Sequence, residues 1–92
     1  MNKFDLIKDL EWRVDKGISH ERYSTKKLLY IQYEFFRFLN PNTMVWSNWR
    51  LSNRTSFDRC SVNMMMGEYD SPGEAMGVAG NHWKSLIEPF LV

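Results

Sequence analysis

The stretch TKKLLYIQYEFFRFLN (residues 25–40) decides how the rest of the chain is read. Leu28, Leu29, Ile31, Phe35, Phe36, Phe38 and Leu39, with Tyr30 and Tyr33, leave Lys26, Lys27, Gln32, Glu34 and Arg37 as its strongly polar sites. Wound as a helix, it is apolar around most of its circumference, and a helix of that kind has to be covered. Leu28, Gln32, Phe35, Phe36 and Leu39 define one face and Leu29, Tyr33 and Phe36 another, so partners are required on at least two sides. Asn40-Pro41 ends the segment, because proline disfavours the helical region for the residue before it and donates no backbone hydrogen bond.

Upstream, Phe4, Ile7, Leu10 and Val14 recur at three- and four-residue spacing, with Leu6 widening the stripe, which predicts an amphipathic helix over 3–16. Lys16-Gly17 gives it a basic last turn and a left-handed stop, and Ser19 or Ser24 caps the helix that follows. Downstream, residues 43–66 admit two readings. As helices, Thr43 caps 44–51, Thr55 caps 56–66 and Gly67 stops the second; three consecutive Met residues favour this form. As strands, 43–51 and 59–66 make a hairpin in which Cys60, Val62, Met64 and Met66 alternate with Ser61, Asn63 and Met65. Ser71-Pro72-Gly73-Glu74 is a capping box with proline at the first helical position, and Ala75, Met76, Ala79, Trp83, Leu86 and Ile87 follow on one helical face up to Pro89.

The expected architecture is mainly α: a compact bundle of about five helices (3–16, 20–39, 44–51, 56–66, 72–88) around the aromatic second one. The alternative is α+β with a hairpin formed by 43–51 and 59–66. A chain of 92 residues fits one small domain spanning 1–92. The single Cys60 rules out an internal disulfide, the amino-terminal residues do not read as a signal peptide, and no apolar run approaches a membrane span. A soluble, cytoplasmic protein is expected. The net charge of +1 conceals a gradient: +1 over residues 1–34, +3 over 35–67 and −3 over 68–92.

No catalytic signature, metal-ligand spacing or phosphate loop is present, and no cofactor is implied. Cys60, His20, His82 and Asp70 are the ingredients of a thiol enzyme, but Cys60 falls beside Phe57 and Met64 on an expected apolar face, where a free thiol is an inert small hydrophobe. One Cys and two distant His make no zinc site. The functional lead is the basic middle. Trp46, Trp49, Arg50, Asn53, Arg54, Arg59 and Asn63 combine stacking surfaces, guanidinium groups and amides, the vocabulary of protein hot spots and of nucleic-acid binding alike. The expectation is a non-enzymatic protein that binds another protein through 46–63, as an inhibitor or adaptor of the phage host-takeover or anti-defence kind. The alternative is a nucleic-acid binder with a helix-turn-helix-like segment at 44–66 that exposes Ser56, Arg59 and Asn63.

Overall fold

The computed structural model describes residues 10–28, 30–57 and 59–91. Strands β1 (Trp12–Lys16), β2 (His20–Thr25), β3 (Ile31–Asn40), β4 (Val45–Trp46), β5 (Trp49–Phe57) and β6 (Cys60–Tyr69) precede helix α1 (Pro72–Ile87) and a 3-10 turn (Glu88–Leu91). All the strand pairs are antiparallel, in the spatial order β1-β2-β3-β5-β6, with β4 continuing the far end of β3. The expected five-helix bundle is therefore wrong.

Each misread segment has its own correction. Of the predicted helix 3–16, Trp12–Lys16 is a strand, and residues 3–9 lie outside the described residues. The predicted helix 20–39 is β2, a short connection and β3. The predicted helices 44–51 and 56–66 are β4, β5 and β6, so no helix-turn-helix exists. The α+β alternative comes nearer, although the hairpin partner is Trp49–Phe57, paired from Phe57↔Cys60 to Trp49↔Tyr69. α1 starts at the capping box: Glu74 N–H donates to Ser71 Oγ at 3.2 Å, and Pro72 occupies the first turn.

The physical reason for the strands is alternation. Ile31, Tyr33 and Phe35 are buried while Gln32, Glu34 and Phe36 are partly exposed, a period of two that a pleat produces and a helix does not. β5 repeats it, with Trp49, Leu51 and Asn53 buried and Arg54 exposed. Phe35 stands opposite Leu51 and Tyr33 opposite Asn53, so the buried residues share one face. On that face lies α1, whose Ala75 and Ala79 are fully buried against the core of Ile31, Tyr33, Phe35, Trp49 and Leu51. Small side chains at these two positions let the helix backbone come close to the aromatic row.

Two bulges tune which face each residue serves. Leu39 pairs with Trp46 and Phe36 with Arg50, which leaves two residues on β3 opposite three on the other strand. One residue in excess reverses the inward and outward parity beyond it. Phe38 N–H, displaced from a backbone partner, donates to Ser47 Oγ at 3.0 Å. In the β5–β6 pair, Leu51 faces Gly67 and Ser52 faces Met65, so Met66 is the extra residue. Gly67 has φ +137, and a Cβ there would stand 2.8 Å from the Tyr69 hydroxyl, which itself donates to Met66 C=O at 3.1 Å. Glycine is required at that bend.

Candidate functional site: the open face of the sheet

The helix covers one face, and no described element packs on the other. The register puts Arg22, Glu34, Phe36, Phe38, Arg50, Ser52, Arg54, Asn63, Met65 and Glu68 on that open side. The sequence-predicted site residues divide between the two faces. Trp49 is 4% exposed and Asn53 6%, so both belong to the interior and cannot touch a partner directly. Arg50, Arg54 and Asn63 lie on the open face, and Arg59 is exposed beside the β5–β6 hairpin turn.

Trp46 shares the helix side with Trp49, and the two indoles flank Arg37, whose guanidinium carbon lies 4.3 Å and 4.7 Å from the respective ring centres. Glu21 Oε1 accepts from Arg37 Nη2 at 2.8 Å, while Arg37 Nε is buried without a hydrogen-bond partner. Such a half-buried cation held between aromatic faces and a carboxylate is a packing device, since cation–π attraction strengthens as water is withdrawn. Trp46 is thus engaged in holding the fold together.

On the open face, charges largely cancel. Arg22 Nε lies 3.7 Å from Glu34 Oε1 and Arg50 Nε 3.3 Å from Glu68 Oε1. Arg54 differs: Nη2 donates to Ser61 Oγ at 3.4 Å, and no carboxylate lies within ion-pair reach among the described residues. Between these groups run the rings of Phe36 and of Phe38, the latter 41% exposed, with the Arg50 guanidinium 5.1 Å from the Phe38 ring centre. Next to them a shallow depression of about 490 Å³ is lined by Gln32, Glu34, Ser52, Arg54, Asn63, Met64 and Met65. It is broad and open, unlike the enclosed, mainly apolar clefts that hold small ligands. Phe36, Phe38 and Met65 escaped the sequence reading as contact residues; their signal was an apolar residue at every second position on the polar side of a strand.

The thiol-enzyme ingredients are held apart. His20 pairs with Phe38 at one end of β3, whereas Cys60 pairs with Phe57, next to the Thr55 that faces Ile31 at the other end. The seven residue steps from Ile31 to Phe38 span roughly 23 Å of strand. Cys60 is also exposed, contrary to its expected place on an apolar face. His82 is occupied by the core: its Nδ1 lies 2.6 Å from the Tyr33 hydroxyl. Burial, with the nearby Tyr30 adding to it, drives the Tyr33 phenol well above its usual range. Among the described residues no group of three or more His, Cys, Asp or Glu is arranged to hold a metal ion, and no helix is long and apolar enough to cross a membrane. Comparison of the chain with protein-family models, with curated proteins and with solved structures gives no match.

Proposed function

We propose that this is a non-enzymatic binding protein of the cytoplasm that docks another protein on the open face of its sheet, as an inhibitor or adaptor. The observation that carries the reading is the composition of that face: Phe36, Phe38 and Met65 framed by Arg–carboxylate pairs and one unneutralised Arg54. Aromatic and Met surface with Arg at its rim is what protein interfaces enrich, and the energy of such contacts concentrates in a few side chains. A reducing compartment suits a chain whose one cysteine is exposed and free.

A second reading draws on the ring of Phe38 beside Arg50, which is a stacking platform for an unpaired base. Phosphate binding, however, draws on surplus cations, and Glu34 and Glu68 already engage two of the guanidiniums on this face. Affinity capture from the native host, with wild type beside Phe38→Glu and Arg54→Glu, tests the choice. Each variant is expected to lose capture of the protein at least tenfold while the unfolding midpoint stays within about 1 kcal/mol of wild type. Undiminished capture by both variants sinks the open-face assignment. Oligonucleotide binding that falls steeply between low and moderate salt would replace it with the nucleic-acid reading.

A further inference from the structure

The connection from β3 to β4 ends on an exposed apolar point. Its last residue, Met44, has φ +58, in the left-handed region that glycine and asparagine enter readily and a long side chain does not. Met44 is 69% exposed and Val45 beside it 62%, and neither joins the buried core cluster or the residues packed against it. The register sets Val45 opposite Asn40, on the same side as Phe38, so the strip of Phe36 and Phe38 on the open face runs on into this tip. A strained methionine and two bared side chains add nothing to the packing of the fold itself, so their use lies outside the chain.

The tip is also prepared for burial. Met44 N–H donates to Asn40 C=O at 2.7 Å and Asn42 N–H to Asn40 Oδ1 at 2.9 Å, while Pro41 has no N–H and a fixed φ. At its base, Ser47 N–H donates to Phe38 C=O at 2.9 Å. Groups already paired lose little when water is withdrawn, and a loop already held in shape loses little freedom on docking. The 12 residues from Phe38 to Trp49 carry no charge in a chain that is 25% charged, so nothing ionised on the tip has to be stripped of water.

We infer that this tip, led by Met44, is a plug that seats in an uncharged, apolar crevice of the protein docked on the open face. The inference rests on the reading of that face and narrows it. A convex point fills a concavity in its target, which is inhibition by obstruction rather than the bridging of two proteins by an adaptor. The tip itself holds no cation with which a phosphate could pair, so its chemistry does not suit a nucleic acid.

Photocrosslinking identifies the target. The chain with p-benzoylphenylalanine in place of Met44 is irradiated in extract of the native host, with the same replacement at Val14 on the edge strand β1 as control, and the joined peptides are sequenced by mass spectrometry. A single protein, joined through an uncharged and mainly apolar segment, is expected from position 44 and not from position 14. Against that protein once purified, Met44→Gly and Met44→Asn should each weaken binding at least tenfold while the thermal midpoint holds or rises, because both residues accept the left-handed φ. No adduct specific to position 44, a join to a charged segment, undiminished binding by both variants, or a midpoint that falls overturns the inference. Co-sedimentation with phosphatidylcholine–phosphatidylglycerol vesicles that is lost in Met44→Gly also overturns it, in favour of a bilayer. Phe38→Glu and Arg54→Glu, measured alongside, separate the two failures. If they weaken binding and the Met44 variants do not, the plug is lost and the open-face reading stands; if no variant does, both are lost.

Discussion

Trp49→Ala separates a core residue from a contact residue. Trp49 is 4% exposed and meets Phe35 edge-on at 5.5 Å and Tyr23 edge-on at 5.6 Å, with the Arg37 guanidinium 4.7 Å from its ring centre. Truncating a buried Trp or Phe costs about 3–5 kcal/mol from lost transfer energy and the cavity left behind. Two edge-to-face contacts, each contributing about 0.5–1.5 kcal/mol beyond area burial, place this site in the upper part of that range. Folded chains hold about 0.05–0.15 kcal/mol per residue, so a loss of this size takes a large share of the whole. At about 4–8 °C per kcal/mol for domains of up to about 100 residues, the midpoint should fall by some 15–30 °C. Thermal melts followed by far-ultraviolet circular dichroism measure it without relying on the indole that has been removed, and urea melts give the loss in kcal/mol. A loss under about 1 kcal/mol would refute the placement of Trp49 in the core and restore it as a candidate contact.

Two further outcomes rest on the same face and on the second bulge. Because burial raises the Tyr33 phenol above its unfolded value, the unfolded chain gives up that proton first as pH rises. Stability is then flat with respect to this group below about pH 10 and falls above it by up to about 1.4 kcal/mol per pH unit, a slope that Tyr33→Phe should remove in urea melts at pH 9 to 11. The same variant loses the contact with His82 Nδ1 and costs about 1 kcal/mol near neutrality; an unchanged alkaline slope would contradict the assignment. Gly67→Ala forces a side chain into a φ of +137 against the Tyr69 hydroxyl and should cost about 1–3 kcal/mol. Gly17→Ala meets only the ring of exposed His20, which can swing away, and should cost under about 1 kcal/mol in parallel thermal melts; equal losses at the two positions would count against strain at the bulge.

The helix at the carboxyl end was legible because its signal is local. Ser71, Pro72 and Glu74 act within one turn, and nothing distant can outvote a cap, a fixed φ and a first-turn acid. The sheet was illegible for the opposite reason. Phe36 and Phe38 sit on the open side of β3, so the cluster Phe35, Phe36, Phe38 and Leu39, broken by Arg37 alone, hides the alternation that Ile31, Gln32, Tyr33, Glu34 and Phe35 display. Counting apolar residues favoured a helix; counting parity favours a strand. In β6 Met64 and Met65, strong helix formers by intrinsic preference, are held in a strand by pairing with Asn53 and Ser52, an instance of tertiary contact overriding propensity. The candidate site fared likewise. Arg50, Arg54 and Asn63 reached the open surface, whereas Trp49 and Asn53 were assigned to it on residue type alone, which carries no information about which face of a pleat they occupy.

The fate of the two tryptophans turns on one inserted residue. Trp46 and Trp49 are three apart, and in an uninterrupted strand that spacing sends them to opposite faces, leaving one indole outside as a ready anchor. The bulge around Ser47 and Asn48 adds a residue between them, and the parity change turns both toward the helix side, where they flank Arg37. Arg37 takes its place in the inward-facing row of β3 immediately after Ile31, Tyr33 and Phe35, and its charge is met by Glu21. The polar residue that interrupts an apolar row thereby becomes the piece that closes it, and the indoles are spent on stability. On the proposed reading recognition falls to the opposite surface, where Phe36, Phe38 and Met65 stand apart from the buried core cluster. A substitution there should move affinity without moving stability, and one at Trp46 or Trp49 should do the reverse.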